Sequence, residues 1–245
     1  MVRTLLIRGM LVGALAGLLG AVFAYVFGEP PVDSAIAYED QLARAAGEAE
    51  AAALVSRDVQ RTVGLLTGIV AYGVAFGGIF SLVFATVSGR IGRLGPRATS
   101  ALLALVVFLV VILVPFLKYP ANPPASSIDT TIDDRTSLFW IMVLASVLVA
   151  AGAAALCRWL VARFGTWNAT QVAVGGYVVV IVAVGFAMPA VSETPADFSA
   201  PVLYDFRLAS LGIHLVLWTT IGLLFGALTE RSLRRQHSPA ATASG

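Results

Sequence analysis

The chain has 245 residues, of which 58% are hydrophobic and 12% charged, with a formal net charge of +2. A soluble domain carries about twice that share of charge, so water is excluded as the solvent for most of the surface and the bilayer takes its place. The apolar residues run continuously instead of alternating, which excludes a transmembrane β-barrel and leaves an all-α, polytopic membrane helix bundle as the expected fold.

Six windows are long enough to cross about 30 Å of hydrocarbon as helices. They fall near residues 5–27, 63–87, 99–117, 137–157, 171–191 and 208–228 of one transmembrane domain, 1–235, followed by a disordered tail, 236–245. In the first, Gly9, Gly13 and Gly17 form a small-residue ridge that lets helix backbones approach closely. Its basic start and Ala24 also suit a cleavable leader, and cleavage would leave five spans. The apolar run continues through Val26 and Phe27, which favours a retained span.

The alanine-rich stretch 34–54 predicts an extra extracytoplasmic helix, capped by Asp33 or Ser34 and laced by Asp40, Arg44 and Glu48 at four-residue spacing. Ser56 is placed to cap the helix entering span two, whose GVAFGGIF (73–80) marks close packing. Span three runs into PFLKYPANPP (115–124). Pro115 is expected to end the helix near Val114, while Pro120, Pro123 and Pro124 hold the turn extended and Asn122 is biased away from helix. Lys118, the only lysine, stands beside Tyr119 as an interfacial anchor. The sharper alternative is a cation that pairs with carboxylates until a metal displaces it. Cys157 excludes an intramolecular disulfide and reads as a small packing residue at the inner end of span four. Gly222 and Gly226 in span six again read as packing positions, an unwound, carbonyl-lined pathway being the alternative for both glycine-rich stretches.

Charge sets the threading. Ten of the sixteen basic residues (Arg3, Arg8, Arg90, Arg93, Arg97, Arg158, Arg163, Arg231, Arg234, Arg235) flank one side, which places both termini in the cytoplasm of an inner-membrane protein. Thirteen of the fourteen acids fall on the other side, so the outer face is acidic and concentrates cations. Glu29 and Asp33 stand at the outer end of span one, Glu193 and Asp197 at that of span five, and His214 lies about two turns into span six. Carboxylates from several segments with one imidazole suit a divalent cation. Surface carboxylates that hydrate loops, and a histidine satisfied between helices, are the alternative. Pro115, Lys118, Tyr119, Pro120, Asn122 and Pro123, with Arg57 and Arg135, form an outer rim of gating or structural character, and each return span begins just after an arginine, Arg61, Arg135 or Arg207. No nucleotide fingerprint, zinc spacing or catalytic constellation is present, so no enzyme and no nucleic-acid partner is expected.

GEPPVDSAI, VSRDVQRTVGL, GRIGRLGPR, PFLKYPANPP and DRTSLFW, in that order, resemble the CbtA family of cobalt transporter subunits, chiefly over residues 1–140. The resemblance implies a membrane subunit for cobalt uptake linked to cobalamin metabolism. It implies Co²⁺ as substrate with no resident cofactor. It also implies a small single-span, histidine-bearing partner like CbtB, besides the surrounding lipids. A non-transporting scaffold for another membrane complex is the alternative of a different class.

Overall fold

The computed structural model describes residues 2–47, 55–90, 94–124, 132–191, 194–195 and 197–237, with the side chains of 132, 133, 236 and 237 excepted. All regular structure among these residues is helical: α1 (Val2–Ala46), α2 (Arg57–Val87), α3 (Pro96–Lys118), α4 (Ile132–Ala187) and α5 (Ala200–His237). Each is long and apolar enough to cross a membrane.

The apolar windows lie where the sequence places them, but several helix ends do not. Pro30 and Pro31 fail to stop α1, which continues from Glu29 to Ala46 and closes on Gly47 at φ 72°. Neither Asp33 nor Ser34 therefore opens a separate helix. The cause is the π turn Ala24–Gly28 just upstream, where the Glu29 amide reaches back to the Ala24 carbonyl. The wider i→i+5 turn shifts the register so that the proline rings clear the carbonyls of the preceding turn, and the helix runs on although the two missing bonds are not replaced. Residues 48–54, including Glu48, lie outside the described residues.

Pro115 behaves the same way. A π turn over Phe108–Leu113 precedes it, and α3 runs on to Lys118 instead of ending near Val114. In that register the amide due to reach the Val110 carbonyl belongs to residue 115, a proline without an N–H. The Ser146 hydroxyl of α4 donates to this carbonyl at 2.6 Å and meets the Tyr177 hydroxyl at 2.8 Å. Ser56 takes the cap position of α2 with extended backbone but, among the described residues, makes no side-chain capping bond.

The link expected between spans four and five is not a loop. Helix continues past Cys157 to Phe164 and breaks at Gly165, whose φ of 73° and ψ of 165° are open only to glycine. Cys157 sits 3.8 Å from the Thr170 hydroxyl across that break. At the other end, α5 extends to His237, so the first two residues of the expected tail are helical and the rest lie outside the described residues.

The chain divides into two compact units. The first comprises Met1–Pro30, Ala49–Phe108 and Leu208–Gly245. Its axis is a glycine seam: a Cβ on Gly13 would fall 2.1 Å from the Gly73 carbonyl, and one on Gly9 would fall 2.3 Å from that of Gly77. Backbone meets backbone there, and no side chain fits between. The start of α3 meets α5 in the same manner, with Gly222 against Ala104 and the buried Ser100 hydroxyl donating to the Gly222 carbonyl at 2.6 Å. A ladder of tilted and edge-to-face aromatics joins α2 to α5, running Tyr72, Phe76, Trp218, Phe80, Phe225, Phe84.

The second unit comprises Pro31–Glu48 and Leu109–Arg207. Tyr119, Met142 and Ile181 form its buried cluster, with Val114, Phe139 and Tyr177 packed around them.

Candidate functional site

In the first unit Glu29 follows the π turn of α1 and is buried to 8% exposure. Arg57, at the first turn of α2, closes an ion pair with its carboxylate. A buried carboxylate requires such a partner, because an isolated one would neutralise. His214 lies on α5, its ring edge-on to Tyr72 at 5.9 Å, and its Nδ1 is buried with no hydrogen-bond partner among the described residues. Its neighbour Ile213 packs near Gly28, the residue before Glu29. An imidazole nitrogen left open inside a span is the kind of atom that can take a proton donor or a borderline metal ion.

In the second unit Asp197 is exposed, and its negative charge bears on the Tyr38 hydroxyl; Phe198 meets the Tyr38 ring edge-on at 5.1 Å. Asp33 is exposed on α1. Glu193 lies outside the described residues. Among the described residues no three of His, Cys, Asp and Glu gather as a metal cage.

The rim turn is held by cations acting on backbone oxygen. Lys118 Nζ donates to the Met188 carbonyl at 2.9 Å and stands 5.7 Å from the Tyr119 ring centre. A carbonyl thus occupies the place where the sharper sequence reading put a carboxylate. The Tyr119 hydroxyl donates to the Pro189 carbonyl at 2.8 Å, Arg135 donates to that of Pro120, and Arg207 reaches the Ala121 carbonyl at 3.2 Å and Asn122 Oδ1 at 2.9 Å. Pro115 and Pro123 are fully buried beneath. Of the expected rim residues only Arg57 falls in the other unit. Sequence reasoning missed Arg207 as a member; its place directly before span six, parallel to Arg135 before span four, is the signal that could have found it.

Comparison with curated proteins and with solved structures gives no significant match. A family model described as "Probable cobalt transporter subunit (CbtA)" matches residues 2–230. Nearly the whole described chain is covered, far beyond the first 140 residues that carry the motifs, and the protein belongs to the CbtA family of probable cobalt transporter subunits.

Proposed function

We propose that this chain is the membrane-embedded subunit for cobalt uptake across the cytoplasmic membrane, serving cobalamin metabolism, and that it gathers Co²⁺ at an acidic outer face. The family match over residues 2–230 carries the reading. In it the chain crosses six times with both termini inside, α4 contributing two crossings that meet at Gly165, and residues 29–46 extending α1 on the outer side. The first span is retained, which its glycine seam with α2 supports, since removing it would uncover backbone along α2.

Within the first unit Glu29 and His214 are the leading ligands. Metal arrival would exchange the Arg57 guanidinium for the ion on Glu29, so the site rests closed by an internal cation. Asp33, Glu193 and Asp197 supply further outer carboxylates that attract divalent cations. Two imidazoles and one thiol in the whole chain make a poor cage for a borderline metal, which is why a single-span, histidine-bearing CbtB-like subunit is the expected partner.

The deciding experiment is radioactive Co²⁺ uptake by cobalt-limited cells with and without the gene, repeated with the partner co-expressed. Uptake should fall on deletion and return with the wild-type chain. Glu29→Gln and His214→Ala should each restore at most about a tenth of it, the scale of loss when a metal site loses a tuned group. Unchanged uptake on deletion would reject transport and favour the scaffold reading.

A further inference from the structure

At the end of the first unit that carries both chain-terminal arms, α1 and α5 border an open groove of about 660 Å³. That size falls in the usual range for small-molecule sites. Arg8 of α1 and Arg231, Ser232 and Arg235 of α5 line it, and among the described residues no carboxylate does. Arg231 and Arg235 are four apart on one helix face, where like charges repel unless an anion lies between them. The acid next to them in sequence does not serve, because Glu230 is already engaged by Arg97 at 3.1 Å and Arg234 at 2.6 Å. Among the described residues neither Arg231 nor Arg235 has an ion-pair partner. Arg8 is fixed at the groove by its bond to the Thr229 hydroxyl at 3.0 Å, which leaves most of its donors unused. Towards the middle of the span the wall turns apolar, with Leu11 of α1 at 67% exposure and Leu228 of α5 half-buried.

Three guanidiniums at the mouth and an apolar wall leading into the bilayer match one kind of molecule. We propose that this groove binds an anionic phospholipid, the phosphate taken by Arg8, Arg231 and Arg235 and an acyl chain laid along Leu11 and Leu228. Bidentate guanidinium–phosphate geometry supplies the head-group recognition. The basic flank of a span at the cytoplasmic side is where anionic lipids are attracted. A free phosphate would satisfy the arginines but leave the apolar wall uncovered.

The test is native mass spectrometry of the full-length protein, delipidated in detergent and titrated with phosphatidylglycerol, phosphatidylcholine or inorganic phosphate. Phosphatidylglycerol should bind in preference to phosphatidylcholine. The double variant Arg231→Gln/Arg235→Gln should weaken it about thirtyfold, roughly fivefold for each arginine near the membrane surface. Both side chains are exposed, so thermal unfolding without lipid should not change, and Arg158→Gln in the second unit should bind as wild type. Equal binding of the two lipids, or undiminished phosphatidylglycerol binding by the double variant, would overturn the proposal. Inorganic phosphate competing as well as the lipid would replace it with a free-anion site.

Discussion

At the scale of single residues, the Glu29–Arg57 pair joins the chemistry of the site to the stability of the fold. Removing one partner of a largely buried pair strands the other charge. Glu29→Gln is therefore expected to cost about 1.5–3 kcal/mol, the range of a hydrogen bond to a charged group. Adding Arg57→Gln should recover part of that loss, and a double-mutant cycle from detergent unfolding measures the coupling. If Glu29 is also a ligand, Arg57→Gln alone should tighten Co²⁺ binding by removing its competitor, read by metal titration of the purified protein. Each residue could be marked as a candidate from its place at a span end. Their pairing could not, because 28 residues separate them and only the packing of α1 on α2 brings them together.

At the scale of elements, the prolines were legible and their effect was not. Read alone, Pro30, Pro31 and Pro115 are stop signals. Each follows a π turn that lets the helix run on, and a π turn has no letter pattern of its own. The Ser146–Val110 bond repairs the carbonyl that such a turn leaves open, as hydroxyls do around broken membrane helices. Ser146→Ala should cost about 1–3 kcal/mol by stranding a buried acceptor, with Tyr177→Phe costing less because the carbonyl keeps its donor. Gly165→Ala should destabilise the two limbs of α4 by about 1–3 kcal/mol, since its backbone conformation admits no Cβ. Chemical unfolding of the variants in one detergent measures both.

At the scale of the whole molecule, hydropathy located every apolar helix core because continuous apolar runs have few other uses. The lopsided placement of the carboxylates was equally legible as a charge bias. Convergence was not, since it depends on which helices pack together. The threading predicts that, in a Cys157→Ser background, Ser88→Cys reacts with a membrane-impermeant thiol reagent only from the cytoplasmic side. Asp134→Cys should react only from outside. Labelling of both from one side would overturn the six-crossing arrangement, and an exchange of the two sides would reverse it.

The glycine seam also has a genetic consequence. Every single-nucleotide missense change from a glycine codon adds atoms at Cβ, and at Gly9, Gly13, Gly73 and Gly77 those atoms would lie within 2.3 Å of the opposite carbonyl. A saturation library scored for folded protein should therefore show two ribbons of intolerance repeating every fourth codon, one in each helix, while alanine is accepted freely at Gly68 and Gly152, where nothing lies within 4 Å.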